Sequence, residues 1–386
     1  MMNYNNLSIH EVFGEYLKIQ PDSEELYYPD MFIKDIHKAY LDDNKVSLPM
    51  PLYATWDIVD ECNLRCLFCS AAAPKTKKEF VSSSIALKIA DKIIENGIKY
   101  VSIRGGEPSL CKELPEVVKT LLWAGIFVEV VTNGKNITQE FFDKIGEIPL
   151  SLFRIKISLD SSNIETNDYQ RGDKSHYYAT KAMNCCKINN IPFRVQMVLT
   201  NCNYLDIKDT YMLCVEKGAI SFGCIILLPI GRGKKSKLRI SLNKEILIQL
   251  IEIIKLKKET IVEKIGLGVD AIKMYKPYIS EMEISYSEAL KNGHLKCNGL
   301  KTRIYINSKG EIYPCDLLQY DEYNVGNICE GTKYWNNIKA EKFRMQNRSN
   351  MDKCKDCKIY GCNMGCLAIS IENSENSSSL VPNCEV

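Results

Sequence analysis

Three cysteines within eight residues constrain this chain more than any other feature of its sequence. Cys62, Cys66 and Cys69 directly follow an apolar run, residues 54–59, that has the pattern of a β-strand. Three thiolates on one short loop can bind three irons of a cubane cluster and leave the fourth iron open to a small molecule. A zinc knuckle or chance clustering is the alternative, because the chain contains 17 cysteines. Zinc, however, usually takes a fourth nearby ligand, and no Cys or His occurs between Cys69 and Cys111.

Charge and hydropathy exclude several function classes. The 386 residues carry 50 basic and 48 acidic side chains, a net charge of +2, which argues against a nucleic-acid or membrane-surface footprint. The N-terminus lacks the basic and apolar regions of a signal peptide. No apolar run approaches the ~18 residues that span a bilayer. We therefore expect a cytoplasmic protein whose cysteines serve metal or redox chemistry.

From residue 51 the sequence alternates strand and helix patterns, which predicts a parallel sheet. Six β/α units are fewer than the eight of a closed barrel, so an open partial barrel fits better. The alternation is expected to stop after Pro229, with a long helix over residues 243–264. Ser308-Lys309-Gly310 predicts a hairpin between residues 303–307 and 311–314. The predicted strands cover residues 54–59, 100–104, 127–132, 153–159, 193–199 and 222–228, and the helices between them cover residues 85–97, 113–124, 138–145, 177–190 and 204–217.

Polar motifs follow each of the first four predicted strands. Parallel α/β folds place their chemistry on the loops at the carboxyl ends of the strands. A Gly-Gly pair alone is typical of a plain turn, but four motifs in succession indicate one shared site. The motifs are the cysteine run, Gly105-Gly106-Glu107-Pro108, Thr132-Asn133-Gly134 and Ser158-Leu159-Asp160.

These motifs, over residues 51–235, resemble those of the radical S-adenosylmethionine (SAM) superfamily. The resemblance implies a partial (β/α)6 TIM-like barrel in which Cys62, Cys66 and Cys69 bind a 4Fe–4S cluster. The fourth iron would chelate the amino and carboxylate groups of SAM. Reductive cleavage of SAM would then give methionine and a 5′-deoxyadenosyl radical, which removes a hydrogen atom from the substrate.

The same resemblance assigns the remaining SAM contacts. Glycines suit positions 105 and 106 because a Cβ would block close backbone approach, and an arginine fork suits a carboxylate. For Arg171 the alternative is a solvated loop charge. The implied contacts are the backbone around Phe68 for adenine, Gly105, Gly106 and Glu107 for the methionine amine, Asp160 for the ribose, and Thr132, Ser158 and Arg171 for the carboxylate.

A second cysteine field near the C-terminus resembles the SPASM extension of many radical SAM enzymes. The first part of the SPASM pattern matches: twelve residues separate Cys297 from Gly310, and four residues separate Gly310 from Cys315. Four residues separate Cys357 from Cys362 where the family has five. The resemblance implies two auxiliary clusters, three 4Fe–4S clusters in all. One auxiliary cluster would use Cys354, Cys357, Cys362 and Cys384, and the other Cys297, Cys315 and Cys366, whose fourth ligand stays open.

Two alternatives remain open in this field. Cys354, Cys357, Cys362 and Cys366 could instead form a structural zinc site. Asp316 occupies the position of an aspartate that acts as a base in anaerobic sulfatase-maturating enzymes, so we expect it to accept a substrate proton. The alternative for Asp316 is a carboxylate that caps a turn.

The sequence therefore predicts a peptide maturase with an N-terminal extension (1–50), a radical SAM core (51–235), a helical bridge (236–296) and a SPASM domain (297–386). The expected product is a thioether or C–C crosslink, or another oxidised residue, on a ribosomally made precursor peptide. The expected partners are that peptide, a one-electron donor such as flavodoxin or ferredoxin, and a leader-binding protein unless residues 1–50 take that role. The alternatives are a formylglycine-forming sulfatase maturase, a small-molecule dehydrogenase or epimerase, and a metal-bearing binding protein without catalysis.

Overall fold

A single mixed sheet organises the chain. The computed structural model describes residues 49–73, 83–256, 264–267 (backbone only) and 299–345, with isolated positions 4, 7, 8, 11, 12, 15 and 368. The strand order is β10-β9-β8-β1-β2-β3-β4-β5-β6-β7. The strands are β1 (Tyr53–Val59), β2 (Tyr100–Gly105), β3 (Phe127–Thr132), β4 (Phe153–Ser158), β5 (Phe193–Leu199), β6 (Ser221–Ile226), β7 (Lys264–Leu267), β8 (Arg303–Ile306), β9 (Glu311–Tyr313) and β10 (Gly326–Asn327).

Helices alternate with the strands of the first part of the sheet. Each strand from β1 to β7 pairs in parallel with the next, which confirms the predicted open (β/α) architecture. The helices are α1 (Ser83–Glu95), α2 (Leu114–Trp123), α3 (Gln139–Ile145), α4 (Ile164–Arg171), α5 (Ser175–Ile188), α6 (Ile207–Lys217), α7 (Lys244–Leu256) and α8 (Ile338–Arg344).

The two faces of the parallel strands differ in polarity. On one face, fully buried residues such as Ile103, Val130 and Ile155 belong to the large core cluster that includes the apolar sides of the helices. Full burial of such a side chain stabilises the fold by roughly 1.5–3 kcal/mol. The other face carries charge, as Glu129 and Arg154 show: they are neighbours in register and form an ion pair of 2.5 Å. The charged face therefore lines the inside of the curved sheet.

Two elements depart from the sequence prediction. The alternation does not stop after Pro229, because β7 pairs in parallel with β6 beyond α7. Helix α4 was not predicted, because its sequence (IETNDYQR) is polar and has no apolar stripe. Asn163 caps α4 by accepting a hydrogen bond from the Thr166 N–H, and Gly172 follows its last residue. Local capping thus forms a helix that periodicity does not reveal.

The predicted C-terminal hairpin is present and joins the main sheet. β8 pairs antiparallel with β9 and parallel with β1, with Tyr53 opposite Arg303 and Trp56 opposite Ile306. This pairing continues the sheet from the barrel into the second cysteine field. It brings Cys315 and Asp316, which follow β9, next to the barrel.

The structure also bears on the expectation that the chain has no membrane span. Within the described ranges, no helix is long and apolar enough to cross a bilayer.

Candidate active site

A cavity of about 240 Å³ lies where the loops that follow the parallel strands meet. It extends from the three cysteines to the segment after β9. Among its walls are residues that were not predicted, including Asp57, Arg104 and Gln319, and Asn133 of the predicted Thr132-Asn133-Gly134 motif also lines it. Of the predicted residues, it is lined by Cys62, Cys66, Phe68, Cys69, Gly105, Gly106, Glu107, Thr132, Ser158, Arg171 and Asp316.

The Gly-Gly pair supports the cysteine loop, which we define as residues 60–73. The Gly106 N–H donates to the Val59 carbonyl at 2.8 Å, and the Glu107 N–H donates to the Glu61 carbonyl at 2.7 Å. A Cβ at Gly105 would lie 2.1 Å from the Val59 oxygen, and one at Gly106 would lie 2.0 Å from the Glu61 oxygen. Close approach of the backbone of residues 59–61 therefore also requires glycine at both positions, and their role at the methionine amine stays a prediction.

Arg232 fixes the same loop from its other side. Its Nε donates to the Cys66 carbonyl at 2.8 Å and its Nη1 to the Ala73 carbonyl at 2.7 Å. Its backbone N–H donates to the Cys69 carbonyl at 3.0 Å. Sequence reasoning missed this residue, although its place in a Gly-Arg-Gly run, which begins five residues after the end of β6, is a signal for close backbone approach.

The thiols of the cysteine loop are partly buried. Burial raises the pKa of Cys62 to about 11. Burial also raises the pKa of Cys66, against the opposing charges of Arg171 and Arg232. Cys62 and Cys66 are therefore protonated at neutral pH, and cluster binding would release their protons.

The three thiols of the cysteine loop do not converge on a site for one metal ion. Among the described residues, no group of three or more His, Cys, Asp or Glu side chains could hold a metal ion together. A cubane cluster takes three thiolates on three different irons, so its ligands need not converge on one point.

Glu107 forms a carboxylate cradle at the wall of the cavity. It accepts hydrogen bonds from Thr132 Oγ1 at 2.6 Å, Ser109 Oγ at 2.6 Å and the Asn133 N–H at 2.8 Å. Burial raises the pKa of Glu107, whereas these hydrogen bonds act to lower it. A buried carboxylate held by neutral donors favours an added cation, so the geometry fits a substrate ammonium group.

Arg171 and Asp160 form a buried pair. Arg171 Nε donates to Asp160 Oδ2 at 2.6 Å and Nη2 donates to Oδ1 at 3.1 Å. The Val198 N–H donates to Asp160 Oδ1 at 2.8 Å. Asp160 is fully buried and is absent from the cavity wall, so in this structure it orients Arg171, whose guanidinium lies 5.6 Å from the Phe68 ring centroid. Its role at a ribose stays a prediction.

A cluster of charged side chains surrounds the predicted Asp316, and three of its members, Asp57, Arg104 and Asp316, line the cavity. Arg104 is paired with Asp316 and lies 3.7 Å from the nearest Asp57 carboxylate oxygen. Arg303 lies 3.9 Å from Asp316. The Tyr305 hydroxyl donates to Asp57 Oδ2 at 2.7 Å. A charged residue inside an otherwise apolar strand, as at Asp57 and Arg104, is the signal that could have found this cluster.

These contacts decide the charge of Asp316. Burial alone would raise its pKa, but Arg104 and Arg303 outweigh burial and lower it. Asp316 is therefore ionised at neutral pH, the state that can accept a proton. Two arginines and a backbone N–H are its partners, and its role as a base stays a prediction beside the turn-capping alternative.

Most of the second cysteine field lies outside the described residues. Cys315 is described and is 8% exposed within the core. Cys297, Cys354, Cys357, Cys362, Cys366 and Cys384 are not described, and their roles as ligands stay predictions.

Comparisons with known proteins agree with this geometry. The sequence profile of the radical SAM superfamily matches residues 56–214, and that of the SPASM iron–sulfur cluster-binding domain matches residues 297–358. The AdoMet-dependent heme synthase of Methanosarcina barkeri is 25% identical, over 82% of this chain and 91% of that protein. The mycofactocin maturase MftC of Mycobacterium tuberculosis is 25% identical, over 83% of this chain and 79% of that protein.

A solved structure supports the fold. SuiB of Streptococcus suis, bound to its precursor peptide SuiA, superposes with a TM-score of 0.71 at 19% identity, covering 94% of this chain and 82% of that one. At this identity the similarity concerns the fold alone. Together, the matched profiles and the cavity show that the chain is an enzyme of the radical SAM superfamily with a C-terminal SPASM domain, and these domains imply SAM and 4Fe–4S clusters as cofactors.

Proposed function

We propose that this enzyme abstracts hydrogen from a ribosomally made peptide and leaves it crosslinked, through a thioether or C–C bond, or otherwise oxidised. The observation that carries the proposal is the single cavity that joins the cysteine loop to Asp316, next to Cys315. A substrate residue placed there would lie between the SAM end and the auxiliary-cluster end. Each end would supply one of the two oxidations that a crosslink requires.

Relatives support a peptide substrate. MftC is named a maturase, and SuiB has been solved with a precursor peptide bound. The fold matches over nearly the whole described chain.

We assign the SAM end as follows. Cys62, Cys66 and Cys69 would hold the first cluster, which when bound supplies the electron that cleaves SAM. Glu107 would hold the SAM ammonium group in its cradle of neutral donors. Arg171, oriented by Asp160, would hold the carboxylate with Thr132 and Ser158. The backbone at Phe68 would contact the adenine.

The other end of the cavity would act on the substrate. Asp316 would accept a proton, and Arg104 would keep it ionised. The seven cysteines of the second field, Cys315 among them, would hold two auxiliary clusters, which brings the total to three clusters. A one-electron donor such as flavodoxin or ferredoxin would reduce the first cluster. Residues 1–50 or a separate protein would recognise the leader of the precursor peptide.

Two other substrates deserve a direct test. The run Ile312-Tyr313-Pro314-Cys315-Asp316 is similar to that of formylglycine-forming sulfatase maturases. A small-molecule substrate is favoured by the similarity to the heme synthase, which this chain matches over 91% of that protein's length.

The test is anaerobic turnover of the cluster-loaded enzyme with SAM, a reductant and short peptides encoded beside its gene. The proposal predicts stoichiometric 5′-deoxyadenosine and a peptide that has lost a pair of hydrogen atoms. A sulfatase peptide whose cysteine or serine becomes formylglycine would support the second reading. Turnover of a small molecule alone, with all peptides unchanged, would contradict the proposal.

A further inference from the structure

A strongly basic loop lies directly against the cysteine loop. Residues 228–242 contain five Lys or Arg side chains and no Asp or Glu, although the whole chain is nearly balanced with 50 basic and 48 acidic groups. We define the basic loop as residues 231–239. Its exposed side chains are Lys234, Lys235, Lys237 and Arg239.

The basic loop is fixed at both of its ends. At the start, Arg232 bonds to the backbone of the cysteine loop, and a Cβ at Gly231 would lie 2.2 Å from the Ser70 oxygen. Gly231–Lys235 forms a 3₁₀ turn, whose rise of ~2 Å per residue places Lys235 about 6 Å beyond Arg232 along the turn.

At its far end, Leu238 packs in a small cluster with Phe68 of the cysteine loop and with Leu227. The Asn201 N–H donates to the Leu238 carbonyl at 3.0 Å, and Asn201 Nδ2 donates to the Lys237 carbonyl at 2.9 Å. The loop is thus a rigid platform that presents its cations to solvent.

The neighbouring surface of the cysteine loop extends this platform. Arg65 and Leu67 are exposed, the latter at 41%. Residues 60–73 add no acidic side chain after Glu61. None of the four exposed cations of the basic loop lines the cavity. The exposed cations of the platform therefore lie outside the cavity.

We propose that the basic loop is the docking surface for an acidic one-electron carrier protein. This inference rests on the proposed function, in which each SAM cleavage requires one electron at the cluster of the cysteine loop and the second oxidation of the peptide later releases one electron. The carrier loses one electron and the cluster of the cysteine loop gains it, with no bond formed or broken. Opposite charges across an interface speed encounter and fix orientation, and the rigid contact through Arg232 and Phe68 keeps the docked carrier beside the cluster loop.

The test measures binding and electron delivery separately. An acidic flavodoxin is titrated into the anaerobic, cluster-loaded enzyme and into its Lys235→Glu/Lys237→Glu variant, at low and high salt. The control variant is Lys99→Glu/Lys187→Glu. It makes the same change in net charge at exposed positions near the amino ends of the parallel strands, just before β2 and in the last turn of α5. SAM cleavage is then driven either by reduced flavodoxin or by dithionite.

We expect the Lys235→Glu/Lys237→Glu variant to weaken flavodoxin binding by at least roughly tenfold at low salt. Its flavodoxin-driven SAM cleavage should fall in parallel, while dithionite-driven cleavage stays unchanged. The control should bind like the wild type. Equal flavodoxin binding by the Lys235→Glu/Lys237→Glu variant and the control variant would overturn the docking surface. A Lys235→Glu/Lys237→Glu variant whose main defect is a raised KM for peptide in the presence of dithionite would also overturn it. Failure of the wild type to cleave SAM with dithionite would refute the proposed function instead, and the binding titration would still report on the surface.

Discussion

The two cysteine-bearing regions that meet at the cavity are held in place in different ways. The cysteine loop is packed backbone to backbone: the Glu107 N–H donates to the Glu61 carbonyl, and the Arg232 N–H donates to the Cys69 carbonyl. The segment that carries Cys315 is attached through the pairing of β8 with β1 and through the ion pair of Asp316 with Arg104.

This difference predicts a division of labour. A Cβ at Gly106 would lie only 2.0 Å from the Glu61 carbonyl oxygen, so the backbone contacts of the cysteine loop leave no space for an added methyl group. The cysteine loop is therefore suited to hold one fixed geometry. Side-chain ion pairs can rearrange and change charge with pH. We therefore expect the cysteine loop to decide whether SAM is cleaved, and the Cys315 segment to decide what becomes of the substrate.

Cysteine substitutions are expected to show the largest difference between the two regions. Cys66→Ala should abolish 5′-deoxyadenosine formation, because two thiolates cannot hold the site-differentiated cluster. Cys315→Ala should retain SAM cleavage and lose the modified peptide. Both products are quantified by mass spectrometry in one reaction. Loss of SAM cleavage in Cys315→Ala, with the first cluster still present, would end the proposed division.

The glycine contact is the next test. Gly106→Ala places a methyl group 2.0 Å from the Glu61 oxygen, so the cysteine loop must move. A displacement of about 1 Å in such a site can cost ~100-fold in rate, and we expect that loss in SAM cleavage. The control is Gly125→Ala, where a Cβ meets nothing within 4 Å and only the backbone strain at φ +77° remains. If both variants cleave SAM alike, the steric account is wrong.

Arg232 tests the other side of the loop. Arg232→Gln removes the contacts of Nε and Nη1 with the Cys66 and Ala73 carbonyls. A charged hydrogen bond contributes about 1.5–3 kcal/mol, so we expect iron to be lost to a chelator roughly tenfold faster. The exposed Arg239, replaced by Gln, is the matched control. The reduction potential of the cluster should shift in Arg232→Gln alone, a change that general destabilisation would not produce.

The smallest expected effect concerns pH. The pKa of Asp316 is lowered by Arg104 and Arg303, so its ion pairing persists above its ordinary pKa and is lost as pH falls through the lowered value. Arg104→Gln removes the first of these charges and lets burial raise that pKa. The acidic limb of the pH profile for the rate of peptide modification should then move to higher pH, while the pH profile of SAM cleavage stays unchanged. Arg104→Lys should largely restore the wild-type profile, and an unmoved limb in Arg104→Gln would remove Asp316 as the proton acceptor.

Sequence patterns alone predicted the site residues that directly follow a strand. The cysteine spacing and the motifs after each strand predicted about half of the cavity wall, because parallel strands bring their loops together regardless of side-chain detail. Contacts between distant segments were beyond this reasoning. Arg232 reaches a loop about 160 residues earlier in the chain, and Arg104 meets Asp316 from β2, so only the folded sheet reveals either pair. Helix α4 was missed because capping, rather than an apolar stripe, defines it.

Electron paramagnetic resonance of the reduced, reconstituted enzyme with and without SAM tests the central claim most directly, since only a cluster with an open iron can bind SAM. The account predicts that SAM changes the signal of the cysteine-loop cluster in the wild type and in Cys315→Ala, and that 5′-deoxyadenosine accumulates in both. A cluster signal that SAM leaves unchanged, with no 5′-deoxyadenosine formed, would contradict the assignment of this cavity as a SAM site.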